Sequence, residues 1–123
     1  MTPLAPFPDV ESAVMDLVTD LGTTGTVSDT ELLDHLPFIR VGRIGGNDDL
    51  ITDRPRLTID VFTETRAEAF TISGTIQQRL ISGPSKVGTV VLDVAATLNG
   101  PQEIPWSPAV RRYSATYQVS VRR

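Results

Sequence analysis

The fold is decided by residues 111–122, which have the sequence RRYSATYQVSVR. Apolar or small side chains alternate there with polar ones, so that Tyr113, Tyr117 and Val121 lie on one face of an extended chain. A period of two residues is typical of a β-strand that buries one face and leaves the other polar. This stretch therefore predicts a sheet with a hydrophobic core on one side.

Periodic apolar residues elsewhere predict the other main elements. Spacings of three and four residues predict a helix over residues 10–21, with Pro8 and Asp9 in its first turn and Gly22 just past its end. The same spacing predicts a second helix over residues 66–82. Alternating β-forming residues predict further strands at residues 38–44, 57–62 and 88–98.

Shorter signals complete the expected architecture. Residues 22–26 are expected to form a flexible link, and a capping box at residues 28–31 predicts a short helix that ends at Pro37. Gly74 is expected to let the second helix approach the sheet closely. The fold class is therefore α+β, a mostly antiparallel sheet of about four strands with two main helices packed on one face.

Two segments are predicted to be irregular and longer than a compact domain needs, residues 45–55 and 99–110. Loops of this length are often functional or interfacial. The second contains three prolines and the single tryptophan, Trp106. A stiff loop that presents an aromatic side chain suits a contact anchor, whereas Trp106 folded back would cap the sheet. The sequence leaves both possibilities open.

Length and composition exclude several classes of protein. A chain of 123 residues and 13.4 kDa predicts one domain spanning residues 1–123. The absence of cysteine excludes disulfides, thiolate metal sites and cysteine nucleophiles. No apolar run approaches the ~20 residues that cross a bilayer. The first residues lack the features of a secretory signal, so we expect synthesis in a cytoplasm.

Charge is distributed unevenly along the chain. Residues 1–53 carry ten acidic residues against two arginines, a net charge of −8, whereas residues 54–123 have a net charge of +4. This asymmetry permits a dipolar subunit that meets its neighbour head to tail, or it disappears when the charges mix in space. Asp60 and Asp93 lie mid-strand opposite the apolar rows, which predicts a wet or interfacial sheet face. A pI near 4.8 argues against nucleic-acid binding through an extended basic face.

No pattern in the sequence indicates catalysis. His35 is the single histidine, and it lacks the partners of a zinc site or a nucleophile elbow. The glycines of residues 42–46 lack the spacing of a phosphate loop and favour a turn. Asp48, Asp49 and Asp53 do not have EF-hand spacing and favour a solvated loop. We therefore expect no enzyme, no cofactor and no metal.

The order and spacing of these elements resemble the tail terminator (tail completion) proteins of long-tailed, siphovirus-type phages, particularly those that infect actinobacteria. The stretches that carry the resemblance span nearly the whole chain. They are residues 7–21, 36–46, 53–62 continuing into the helix from Arg66, and 100–106 ahead of 111–113 and 117–123.

The resemblance implies a structural virion protein in the neck of the particle, at the head-proximal end of the tail, after assembly in the host cytoplasm. It implies a homohexameric ring that ends polymerisation of the tail tube protein and joins the head completion, or stopper, protein. Genomic DNA would pass through the bore without specific binding, and no membrane is involved. Six equal globules of about 35 Å leave a hole of similar width, which admits a DNA duplex.

Two alternatives remain from the sequence, another neck protein (a head–tail connector or stopper) and a small cytoplasmic ligand-binding domain or enzyme. For the ring, we predict that charged residues and one aromatic anchor mediate contacts between subunits or with the tube. These predicted interface residues are Asp48, Asp49, Asp53, Trp106, Arg111, Arg112, Arg122 and Arg123.

Overall fold

A computed structural model of the chain describes residues 6–26, 32–88 and 90–122. Six strands, two α-helices and two short 3₁₀-helices occur within these residues. Their bounds, in chain order, are α1 Val10–Leu17, a 3₁₀-helix Thr19–Leu21, β1 Thr23–Gly25, a 3₁₀-helix Leu32–His35, β2 Phe38–Asp48, β3 Thr52–Thr63, α2 Arg66–Ile81, β4 Ser85–Val87, β5 Val90–Glu103 and β6 Arg111–Arg122.

The strands form one sheet in the order β1-β2-β3-β6-β5-β4. All neighbours are antiparallel except β1 and β2, which are parallel. The predicted α+β class is confirmed, but the described residues contain more strands than the four expected. The two additional strands, β1 and β4, have three residues each, which is too short to show a period of two. Residues 22–26, expected to be a flexible link, thus contribute an edge strand.

The first helix ends earlier than predicted. The Asp9 carboxylate caps α1 by accepting from the Ser12 amide, as the sequence suggested, but the α-helical turns stop at Leu17 and a 3₁₀ turn follows. Gly22 does not adopt the left-handed conformation expected after a helix, since its φ of 166° is extended. Glycine is required there because a Cβ atom would lie 2.6 Å from the Pro37 carbonyl oxygen.

The predicted irregular segment at residues 45–55 is mostly strand. β2 continues through Gly45 and Gly46, whose φ values of 151° and 108° are those of a bulge rather than of a turn. Because glycine adopts positive φ without steric cost, the pair lets the strand bend and continue to Asp48. The connection to β3 shrinks to residues 49–51.

The strand predicted at residues 88–98 also extends further, to Glu103, so that only residues 104–110 connect it to β6. The prediction that one apolar row runs along its whole length is wrong. A register shift between Leu92 and Val94 exchanges the faces of the sheet, and further shifts lie between Thr97 and Asn99 and between Asn99 and Gln102. As a result the Thr97 hydroxyl accepts a hydrogen bond from Gln77 on α2, whereas Leu98 is 45% exposed.

The core lies between the sheet and the two helices. The buried stripe of α2 is as predicted, with Ala69, Ile72, Ile76 and Leu80 facing β3, β5 and β6. Gly74 is not a point of close approach, because a Cβ atom there would meet nothing within 4 Å. The predicted apolar row of β6 is buried throughout, as are its neighbours on β3. The buried members of the core cluster on these two strands include Leu57, Ile59, Val61, Ala115, Tyr117, Val119 and Val121, and Tyr113 is buried in the same row of β6.

Candidate functional site: the two hairpin tips

The predicted interface residues fall into two groups at opposite ends of the sheet. β3 is antiparallel to both β2 and β6, so the β2–β3 turn and the β5–β6 connection point in opposite directions. We call residues 48–54 the Leu50 tip and residues 103–112 the Trp106 tip. Arg122 pairs with Thr52 through its backbone, at the Leu50 end, but its side chain and all of Arg123 lie outside the described residues.

The Asp49 side chain holds the turn of the Leu50 tip together. Its carboxylate accepts hydrogen bonds from the amides of Ile51 (3.2 Å) and Thr52 (2.8 Å) and from the Arg54 guanidinium (3.0 Å). These bonds favour the charged form and lower the pKa of Asp49 to about 2, first through Thr52 and next through Arg54. Asp49 therefore shapes the turn and does not lie free for a cation.

The outermost side chains of this tip are apolar. The Asp48 carboxylate accepts from the Leu50 amide, and Leu50 itself has a φ of +78°. Leu50 is 65% exposed and Ile51 is 68% exposed. Only the acidic residues of this tip were predicted to make contacts, and Leu50 and Ile51 were not predicted. Adjacent aliphatic residues within a short polar turn are the signal that could have found them.

Asp53 is buried and paired. Its carboxylate accepts two hydrogen bonds, of 2.7 and 2.9 Å, from the Arg43 guanidinium. This bidentate contact raises the pKa of Arg43 above its ordinary value. The Arg43 amide donates to the Glu11 carboxylate (3.1 Å), which ties α1 to β2. In the part of the chain that the structure describes, no three His, Cys, Asp or Glu residues are grouped as metal ligands.

At the other end, Trp106 both folds back and stays accessible. Its ring meets Phe62 edge to face with centroids 5.2 Å apart, and Phe62 in turn contacts Phe38 at 6.3 Å. The Arg112 guanidinium lies 5.5 Å from the Trp106 ring centre and 5.8 Å from that of Phe62. Half of the Trp106 surface remains exposed. Trp106 therefore caps the sheet, which is one of the two possibilities left open by the sequence, and its role as a contact anchor stays a prediction.

The sequence predicted a wet or interfacial sheet face at Asp60. Asp60 does not lie on a wet face, because its side chain is completely buried. It accepts from Arg40 (2.9 Å) and from Arg112 (3.3 Å), and Arg40 also donates to the Thr26 carbonyl. Two arginines from the neighbouring strands thus cover the carboxylate, which alternation along β3 alone does not reveal. The buried Nε atom of Arg112 has no hydrogen-bond partner within the described residues.

A cavity of about 500 Å³ opens beside Trp106. Ile104, Pro105 and Pro108 line it together with the Trp106 ring, and Arg111 and Arg112 contribute to the wall. Arg111 forms an ion pair with Glu103 at 2.7 Å. The volume is within the ~300–1,000 Å³ of ordinary ligand pockets, and the lining is suited to apolar side chains.

The two charge groups of the sequence mix in space where the structure describes them. Asp20 accepts two hydrogen bonds from Arg79 on α2, which lowers the pKa of Asp20 and raises that of Arg79. At the tips a small asymmetry remains. Among the described side chains, Asp48, Asp49 and Arg54 sum to a charge of −1, with Asp53 neutralised by Arg43, whereas Arg40, Arg112 and Asp60 sum to +1.

The described helices are all too short to cross a lipid bilayer, the longest having 16 residues. The distinctive features of the described molecule are an exposed apolar turn at one end of a sheet and a half-open aromatic cavity at the other. These features define a small α+β protein with accessible apolar surface at both ends of its sheet.

Comparison with known proteins specifies the class further. The family model described as "Phage tail termination protein" matches residues 6–123, and the chain belongs to this family. The family is one of structural tail proteins, so the resemblance to tail terminators and the expectation of a non-enzyme are both confirmed. The chain is therefore a structural virion protein of a phage-type tail, which associates with other virion proteins.

A solved structure has the same fold. It is a chain from the "Virion of native gene transfer agent (GTA) particle", with a TM-score of 0.66 and 15% sequence identity over 93% of this chain and 95% of that chain. Among the curated proteins, none matches this sequence.

Proposed function

We propose that this protein forms a homohexameric ring at the head-proximal end of the tail tube, where it ends tube polymerisation and joins the tail to the head completion protein. Membership of the tail termination family supports the terminating role. The neck position, the ring and the two partners extend beyond that family assignment and need their own tests.

The observation that carries the ring is the incomplete covering of the sheet edges. β1 pairs only with residues 38–40 of β2, and β4 pairs only with residues 90–92 of β5. Beyond them, within the described chain, no strand covers residues 41–48 or 93–103 on the outer side. Open edges offer backbone groups to another chain. A contact that joins one edge or tip to the unlike one is heterologous, and heterologous contacts form a ring when the rotation between subunits closes and a filament when it does not.

A ring of this kind would end polymerisation through shape. One face would match the last ring of tube subunits, and the opposite face would present a surface that a further tube subunit does not fit. That second face would receive the head completion protein. DNA would pass through the central hole, and we propose no base-specific contact with it.

The test is a phage that lacks this gene, complemented or not with the wild-type gene, and examined by electron microscopy. A terminator predicts overlong tails without complementation and tails of normal length with it. Full heads beside detached tails of normal length would instead identify a connector or stopper and would refute the proposal. The ring is tested separately by the mass of the purified protein in the presence of tube protein, with a hexamer expected.

A further inference from the structure

We propose that the Leu50 tip of one copy inserts Leu50 and Ile51 into the cavity beside Trp106 of the next copy. This inference rests on the proposed ring and specifies the contact that would build it. The partner is therefore a second copy of this chain, and the contact joins unlike ends.

The Leu50 tip has the properties of a preformed apolar knob. Leu50 and Ile51 are the two most exposed large apolar side chains among the described residues. Their backbone amides are fixed by the carboxylates of Asp48 and Asp49, and Asp49 is held in turn by Arg54. A turn that is already ordered loses little entropy on docking, so exposed apolar surface on it is suited to binding.

The Trp106 tip has the properties of the matching hole. Its cavity of about 500 Å³ is open to solvent, and Ile104, Pro105 and Pro108 surround the exposed half of the Trp106 ring. The ring is held in place by Phe62 and Arg112. A fixed aromatic wall beside proline and aliphatic side chains is the kind of pocket that anchors an apolar residue at an interface.

Position and charge favour a second copy as the occupant. The knob and the hole lie at opposite ends of one sheet, so neither can reach the other within a subunit. Among the described side chains, Asp48, Asp49 and Arg54 sum to −1 at the Leu50 tip, where Arg43 neutralises Asp53, whereas the cluster of Arg40, Asp60 and Arg112 sums to +1. Electrostatic complementarity of this kind fixes orientation and disfavours contacts between like ends.

The absence of cysteine makes the contact directly testable. A phage that lacks the gene is complemented with a mixture of Ile51→Cys and Pro105→Cys copies, and the particles are oxidised before denaturing electrophoresis. We expect a covalent dimer from the mixture and only monomer from either variant alone, because the contact joins unlike ends. Ile81→Cys mixed with Pro105→Cys is the matched control, with an exposed aliphatic site on α2, and should give monomer.

Other outcomes overturn the proposal. A dimer from Ile51→Cys alone would show that like tips meet, and a covalent product with the tube protein would show that the knob binds the tube. No product in intact particles would also contradict the contact. Tail length in the same particles reports on the terminating role independently, so normal tails without the dimer would retain the proposed function and refute only this inference.

A second variant tests the energetic role of the knob. Leu50→Asn with Ile51→Ser removes both aliphatic side chains, and asparagine tolerates the positive φ of position 50. We expect self-association to weaken at least about tenfold in mass measurements at matched concentrations. Ile81→Ser is the control and should associate like the wild type. Unchanged association of the double variant, with its fold verified by circular dichroism, would contradict the proposal.

Discussion

Two buried carboxylates on β3, Asp53 and Asp60, belong to the two opposite ends of the sheet and serve them differently. Asp53 lies on the helix side and pairs with one arginine, Arg43, which stays 36% exposed. Asp60 lies on the other side, is completely buried, and is shared by Arg40 and Arg112. The first pair supports a projecting hairpin whose end is apolar. The second organises an aromatic cluster that holds the Trp106 loop against the sheet.

The two ends show that ion pairs within a subunit can hold apolar side chains in exposed positions. At both ends the buried carboxylates are paired within the subunit, and the exposed large hydrophobic side chains are Leu50, Ile51 and Trp106. Several of the charged residues expected to make the contacts, Asp49, Asp53 and Arg112, also hold their own tip in shape, and their role in contacts between subunits stays a prediction. For this reason, reversing the charge of Arg112 would disturb the fold itself, whereas Arg111→Glu affects an exposed pair and tests the interface more cleanly.

The largest effect is expected from Asp60→Ala. Removing one partner of a buried ionic cluster leaves uncompensated charge, so we expect a loss of about 3–5 kcal/mol in the free energy of unfolding, measured in urea. Asp60→Asn keeps the shape and should lose less. Asp16→Asn on the exposed face of α1 is the control and should stay within about 0.5 kcal/mol of wild type. A loss below about 1 kcal/mol for Asp60→Ala would show that the two arginines rehydrate freely.

A smaller loss is expected from Asp53→Ala. The variant removes two charge-assisted hydrogen bonds, but Arg43 is near the surface and can be hydrated in their place. We expect a loss of about 2–3 kcal/mol in the free energy of unfolding, measured in the same way. Hydrogen exchange should also become faster at the amides of residues 45–55 and stay unchanged near Trp106. An equal increase at both ends would contradict the independence of the two tips.

Trp106→Ala is expected to lower the free energy of unfolding by less than Asp60→Ala or Asp53→Ala. The side chain is half exposed, so its loss removes an edge-to-face contact with Phe62 and part of the burial of a tryptophan, about 1–2 kcal/mol. Trp106→Phe should retain most of that stability. Since Trp106 is the single tryptophan, quenching of its fluorescence by acrylamide reports its exposure directly. Quenching as weak as that of a buried tryptophan would contradict the half-exposed arrangement.

Sequence periodicity predicted the elements that bury one continuous face. α2 and β6 match their predicted bounds to within a residue, because the stripe of Ala69, Ile72 and Ile76 and the alternation of Tyr113 and Tyr117 each reflect one uninterrupted packing surface. The prediction failed where a bulge changes the face, at Gly45 in β2 and after Leu92 in β5. Glycine with positive φ serves a bulge as well as a turn, so the residue type alone does not distinguish them.

The candidate site was predicted by position but not by role. Trp106, Asp49 and Arg112 were singled out, and all lie at the two tips. Their partners were missed because pairing across strands depends on register: Arg40 lies directly opposite Asp60, which becomes visible only once β2 and β3 are aligned. Burial of a carboxylate depends on which side chains cover it, and alternation along one strand carries no such information.

The smallest and most local predicted effect is the contribution of Asp49 to the dependence of stability on pH. The pKa of Asp49 is lowered to about 2 from 3.8, so the carboxylate should titrate near 2 in carbon-detected NMR, and Arg54→Ala should shift the value upward. A lowered pKa means that the charged form stabilises the folded state above the unfolded pKa, and that this contribution is lost as the pH falls from about 4 to about 2. Asp49→Asn should therefore reduce stability at neutral pH and show a weaker dependence on acid. An unchanged Asp49 titration in Arg54→Ala would show that the amides of Thr52 and Ile51 alone hold its pKa low.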